Sequence, residues 1–257
     1  MIPIRLSPGL WSPVIRRIDR HAGYAGGQMA LTFDDGPDPE TTPHLIAALA
    51  EARATATFFL CGIRVAQHPD LVQALVDSGH TVYAHGWDHR LYASSEASDA
   101  AAATARTETL LARHRPTPAI YLMRLPYNAG FNRIAIHRAM RGFHPDVQFA
   151  WWSHVIADYQ IAATRQSESA VRAACVDTVS QLEASGNLAG GILLLHDAPF
   201  DQPRQQAVAI TRILLPEVLR MLARHGIAAV RLEPIARPSG LQRYAFFSPA
   251  PMLIKPA

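Results

Sequence analysis

Cysteine is nearly absent: 257 residues hold only Cys61 and Cys175. Two isolated thiols build neither a disulfide framework nor a cysteine metal site, and they read as buried apolar side chains. Lysine is scarcer, with Lys255 alone, so every other basic residue is arginine and the net charge is only +3. The arginines are scattered, which argues against a nucleic-acid footprint. No apolar run approaches the roughly 18 residues that a membrane span needs. Residues 1–21 carry Arg5, Arg16, Arg17 and Arg20, broken by Pro3, Pro8 and Pro13, and lack the apolar stretch of an export signal. A cytoplasmic location is the expectation. Charged residues make up 18% and hydrophobic residues 49%, enough for a sizeable core and against disorder as the overall state.

What the chain has instead is alternation. Strand-like apolar runs fall at 29–33, 55–60, 81–85, 119–123, 147–152, 192–196 and 228–232. Helix-like stretches lie between most of them, at 42–52 with Thr41 as cap, 69–78, 95–114, 132–141, 167–185 and 205–225. Seven strands alternating with helices imply an α/β fold with parallel pairing. A closed barrel and an open doubly wound sheet both fit that pattern. No composition break divides the chain, so a single domain is expected.

The polar residues bear on the architecture. Asp34 and Asp35 follow the first run, and His85 ends the third with His89 four residues on. Arg124 ends the fourth, His154 and Asp158 follow the fifth, and His196 and Asp197 end the sixth. In a barrel such ends share one mouth. Adjacent carboxylates repel unless a cation intervenes. Two imidazoles four residues apart grip one ion if the segment coils, and two histidines with one carboxylate leave coordination positions open, as catalytic sites do. Taken singly, each has an ordinary reading: an Asp-rich turn, surface histidines, an ion-pairing arginine.

Thr32-Phe33-Asp34-Asp35-Gly36-Pro37, the 85–89 segment, Arg124-Leu125-Pro126-Tyr127 and Leu194-Leu195-His196-Asp197 occur in this order. The set resembles the motifs of the polysaccharide deacetylases, the carbohydrate esterases with a NodB homology domain, over roughly residues 28–233. The resemblance implies a distorted (β/α) barrel of about seven parallel strands, with residues 1–27 as an N-terminal extension and 234–257 as a tail. It implies a divalent metal on Asp35, His85 and His89, most simply Zn2+, with Co2+, Ni2+, Mn2+ or Fe2+ also compatible. Asp34 would be the base, Arg124 its partner, His196 the acid and Asp158 the residue that orients it. The Tyr127 N–H would bind the oxyanion and Leu194 would line an acetyl pocket. Trp87, Tyr127 and Trp152 could stack on sugars, and His154 could face the pocket.

The implied activity is removal of N-acetyl groups from an acetylated amino-sugar oligo- or polysaccharide. The alternative is an amidohydrolase acting on a small non-sugar amide or ureide with the same metal site. A third reading, binding without turnover, is opposed by the presence of Asp34 and His196 together. The chain departs from the family pattern at Gly86 (usually Ser or Thr), Arg90 (usually Pro), Asn128 (commonly Gly), and at Val155 and Tyr159 around Asp158 (usually Asp and Trp). The tail carries Tyr244, Phe246, Phe247, Met252 and Leu253, so it is expected to pack on the barrel or on a second copy, which leaves a homodimer open.

Overall fold

The protein is described from a computed structural model, for residues 11–19, 24–130, 132–164, 167–200, 204–236 and 252–254. The strand richest in motif residues is also the central one. β2 (Gln28–Asp35) follows β1 (Val14–Ile15) and is flanked by β3 (Thr57–Leu60) and β8 (Ile192–His196). With β4 (Thr81–Ala84), β7 (His154–Ile156) and β10 (Met252–Ile254), the sheet runs β10-β7-β8-β2-β3-β4. β9 (Ala228–Val230) pairs with the N-terminal half of β2, and β3 with its C-terminal half. A second sheet orders β1, β6 (Val147–Ala150) and β5 (Tyr121–Met123). Every ladder is parallel, so the C-terminal ends within each sheet lie on one side.

Pleating sorts each strand into two layers. Met29, Leu31 and Phe33 of β2, with Phe58, Leu60, Leu193 and Leu195, form an outer core. That core takes in residues of α1 (Thr42–Glu51), α3 (Pro69–Asp77), α7 (Glu168–Ser185) and α8 (Arg204–Arg224). Ala30, Phe59, Tyr83, Tyr121, Met123, Phe149 and Ile192 form a separate inner cluster drawn from both sheets. The two sheets thus wrap one interior, and each large side chain buried there contributes about 1.5–3 kcal/mol.

No ladder joins β4 to β5 among the described residues; side chains bridge that seam. Within and just after α4 (Ala97–Leu111), Glu108 accepts from the Tyr121 hydroxyl at 2.9 Å and from Arg115 at 2.5 and 2.9 Å. Arg115 donates to the Val82 carbonyl, and the Ala84 N–H donates to Tyr121 Oη at 3.1 Å. The edge groups of β4 are thereby satisfied, as an uncovered strand edge requires.

All seven expected strands are present. The expected run 147–152 proves to be β6 followed, after a bend at 151–153, by β7 in the other sheet. No helix separates the two, so the alternation gave no sign of a second strand. β1, assigned in the sequence to an extension, pairs with β6. The tail supplies β10 against β7, while Tyr244, Phe246 and Phe247 lie outside the described residues. Helices α2 (Gly62–Gln67) and α6 (Asp158–Thr164) are further elements, and α5 (Ile134–Phe143) lies in the expected place. Thr41 sits at the N-cap position of α1 but does not cap it; its hydroxyl donates to Asp197 at 2.5 Å. No described helix is long and apolar enough to cross a membrane.

Candidate active site

β2 ends in Asp34 and Asp35, and the backbone between them explains how both carboxylates reach the same place. Asp34 shares the inner face with Thr32 and Ala30. Asp35 adopts φ 80, a left-handed conformation that costs a non-glycine residue roughly 1–2 kcal/mol and turns its side chain back toward the mouth. Gly36 itself does not take a positive φ. It is needed for close approach: a Cβ there would lie 2.3 Å from Asp197 Oδ2. The chain turns again after β4, with Gly86 at φ 71 and His89 at φ 57.

These turns bring Asp35, His85 and His89 together, with one candidate ligand atom from each, all within 4.8 Å of one another. Asp35 Oδ1 is 3.6 Å from His85 Nε2 and 3.1 Å from His89 Nε2. That oxygen is buried and makes no aligned hydrogen bond among the described residues, an arrangement a cation would satisfy. His85 Nδ1 donates to the Arg124 carbonyl at 2.8 Å, which leaves Nε2 with its lone pair facing the carboxylates. Burial pushes the His85 imidazole below its ordinary value, and the neutral form is the one that ligates. Burial would raise Asp35, but the close His89, with His196 and His85, holds its carboxyl at about 2. Two imidazoles and a carboxylate fit a divalent cation.

Asp34 stands beside this cluster, its Oδ2 3.8 Å from His85 Nε2. Its Oδ1 accepts from the fully buried Arg124 at 2.8 Å. Arg124 also donates to Thr32 Oγ1 at 2.9 Å and to the carbonyls of Ala150 and Trp151 at 3.1 and 3.2 Å. On the other side, Asp158 opens α6. Its Oδ1 accepts from His196 Nδ1 at 2.6 Å and its Oδ2 from the His196 N–H at 2.7 Å. Burial alone would lower His196; Asp158 in particular, with Asp35 and Asp34, pushes it up to about 9.

The other sequence candidates divide. Leu194 is buried on the inner face of β8, between Ile192 and His196. Tyr127, at φ 54 and 59% exposed, places its ring 4.6 Å from His89. Trp152 lies 5.4 Å from the Arg124 guanidinium and stacks on Trp151. Trp87 packs elsewhere: Arg106 lies over its ring at 3.3 Å, and a Cβ on Gly62 would collide with it. His154 is a correction. It begins β7 at the end away from the mouth, contacting Ser153 Oγ at 3.0 Å and the Gly186 carbonyl at 3.3 Å.

Two residues near the cluster have no role assigned from the sequence. Asp197 is a buried carboxyl raised to about 7 by desolvation despite bonds from Thr41 and Thr42. Phe200, on the loop after β8, stacks on His89 at 5.0 Å. Asp197 stood in the quoted motif without an assigned role, and Phe200 looks like any loop aromatic.

The family model described as polysaccharide deacetylase matches residues 23–141. The chain is 28% identical over 217 residues to a chitooligosaccharide deacetylase of Sinorhizobium fredii, covering 79% of this chain and 90% of the relative. It is 44% identical over 71 residues to a peptidoglycan-N-acetylglucosamine deacetylase of Bacillus cereus, 28% of this chain and 33% of that one. In that match and in one to a Listeria monocytogenes deacetylase, the chain spans a third or less of the relative's length. Among solved structures, a family 4 carbohydrate esterase from Streptomyces lividans in complex with acetate is 28% identical, with a TM-score of 0.58, covering 79% of this chain and 91% of that one. A family 4 pseudoenzyme from Bacillus anthracis shares the fold at 17% identity and a TM-score of 0.63, covering 86% of this chain and 68% of that one, so the fold by itself does not decide activity. The ordered motifs gathered at the strand ends thus lie in a chain whose residues 23–141 match the polysaccharide deacetylase model and which is similar along most of its length to a chitooligosaccharide deacetylase.

Proposed function

We propose that this protein is a metal-dependent hydrolase that removes N-acetyl groups from an acetylated amino-sugar oligo- or polysaccharide, working as a single catalytic unit. The observation that carries the reading is the placement of two hydrogen-bonded ion pairs, Asp34–Arg124 and His196–Asp158, beside the Asp35, His85 and His89 cluster. Binding alone needs neither pair. A divalent cation held by those three side chains would supply Lewis acidity and a water of lowered pKa. Zinc is the simplest choice, and the donor set also admits Co2+, Ni2+, Mn2+ or Fe2+.

The protein's own groups have complementary tasks. Arg124 occupies one oxygen of Asp34, leaving Oδ2 to take a proton from the attacking water. His196 donates through Nδ1 to Asp158, so Nε2 carries the proton that the leaving amine needs. An amine is a poor leaving group until protonated, and a high imidazole pKa keeps that proton in place. The Tyr127 N–H is assigned to the developing oxyanion, and Leu194 to the acetyl methyl. Trp152 and the exposed Tyr127 ring offer faces to a sugar.

Acetate release from N-acetylglucosamine oligomers, measured with metal removed and restored, tests the reading. Activity should require added metal and fall to background in His85→Ala. Turnover of small amides or ureides with none on the oligomers would move the assignment to the alternative substrate class.

A further inference from the structure

Metal-bound histidines are usually oriented by a hydrogen bond from the second ring nitrogen. His85 has one, to the Arg124 carbonyl at 2.8 Å. His89 has none among the described residues. It also sits on a loop, at φ 57 and four residues beyond the last strand-end ligand, so its backbone holds it less firmly than a strand holds His85. Its imidazole is nonetheless only 12% exposed, with two aromatic rings packed against it. Tyr127 lies at 4.6 Å, tilted by 51°, and Phe200 is stacked at 5.0 Å with its plane nearly parallel, at 6°.

Phe200 is itself fixed. The Arg64 guanidinium lies over its ring at 3.9 Å. Arg64 also donates to the Ala198 carbonyl at 2.5 Å, with the Asp197 and Asp35 carbonyls at 3.4 and 3.5 Å. The same arginine thus ties the loop after β8 to the backbone of the ligand Asp35. The stack runs Arg64, Phe200, His89, Tyr127.

We infer that Phe200 is a positioning residue that holds the His89 imidazole in its ligating orientation by face-to-face stacking, in place of the hydrogen bond that orients His85. A ring stacked on Phe200 and in contact with Tyr127 cannot swing out of the cluster without losing that stacking. Tyr127 is the more exposed partner, at 59%, and it borders the mouth where substrate would enter. Phe200, backed by Arg64, is the stationary wall. The inference rests on the proposed metal site, and its test separates the two.

The experiment uses the full chain and Zn2+ or Co2+ alone, with no substrate. Affinity is read by competition with a chromogenic chelator, and the Co2+ absorption spectrum reports ligand geometry. Phe200→Ala should weaken affinity by about 10–100-fold, the usual effect of losing an orienting partner, and should alter the Co2+ bands. Phe200→Tyr, which keeps the ring, should bind within about two-fold of wild type. If Phe200→Ala fails to fold, Phe200→Leu removes the flat face while keeping an apolar side chain and gives the same readout. Unchanged affinity and spectrum in the ring-less variant, or an equal loss in Phe200→Tyr, would overturn the inference. If His85→Ala also binds like wild type, the metal site itself is wrong, a different failure.

Discussion

Asp158→Asn isolates the coupling that tunes the acid. The wild-type carboxylate takes two hydrogen bonds from His196, at 2.6 and 2.7 Å. The imidazole rises from an ordinary 6.5 to about 9 although burial opposes it. Asn keeps the volume but removes the counter-charge, so burial then acts with little opposition. If His196 is the acid, the rate falls above its pKa. At pH 8 about nine-tenths of wild-type His196 is protonated, against about one in thirty at an ordinary pKa of 6.5. The variant should therefore lose about 30-fold more activity at pH 8 than at pH 5.5, and its high-pH limb should move down by two units or more. Both profiles are taken at the same metal loading, so the difference between them is the quantity to measure. Stability gives an independent check on metal-free protein. Because the folded pKa is raised, the stabilisation is complete below about 6.5 and lost as pH rises through about 9. At about 1.4 kcal/mol per pH unit, the rise from 6.5 to about 9 is worth about 3 kcal/mol. The stability gap between wild type and variant should shrink by that order between pH 6 and pH 10 in urea titrations. A high-pH limb that stays in place would break the Asp158–His196 link.

Asp34→Asn should retain metal in a chelator competition while acetate release drops by about 10²–10⁴-fold; full activity would remove Asp34 as base. Glu108→Ala should destabilise the chain by about 3–5 kcal/mol in denaturant titrations, because Arg115 and Tyr121 lose a buried partner at the β4–β5 seam. A loss below 1 kcal/mol would show that the seam does not depend on this network. Truncation at Pro238 removes β10 from the edge of β7, and it should lower the melting temperature and solubility; unchanged stability and solution mass would show the tail to be dispensable.

The strands were legible because burial writes them twice, once in the apolar run and again in the polar residue that ends it. The polar strand ends pointed to a shared mouth, but the grouping of Asp35, His85 and His89 came from the ordered motifs and the family resemblance, since each residue taken singly has an ordinary reading. What escaped depended on contacts between distant segments. β1 and β10 are too short to show a period, and β7 hides behind β6 because a three-residue bend separates them. Trp87 was a candidate for stacking on a sugar ring, yet it packs against Gly62 and Arg106. His154 follows an apparent strand in sequence but starts the next one in space, which puts it at the opposite end. Phe200 acquires its place only from Arg64 and His89.

The departures from the family pattern show which constraints the fold meets by other means. At position 86 the backbone sits at φ 71, where a serine or threonine would be strained by roughly 1–2 kcal/mol. The hydroxyl comes from α4 instead: Thr107 Oγ1 donates to the Gly86 carbonyl at 2.7 Å, beside the Gly62 N–H at 3.1 Å. Arg90, in place of proline, pairs with Glu96 at 3.2 Å and lies over Tyr92, so an ion pair restrains the chain after His89 where a pyrrolidine ring would. Tyr159 meets His196 edge-on at 5.5 Å, and its N–H donates to Asp158 Oδ1 at 3.0 Å. The bond to Asp158 comes from backbone and is available to any residue there, whereas the ring bordering the mouth is smaller than an indole. Asp158 is therefore held independently of the side chain at 159, and the exchange acts on the width of the mouth: Tyr159→Trp should change KM for longer oligomers while leaving the high-pH limb in place, and a shift of that limb would show that the ring, not the backbone, tunes the acid.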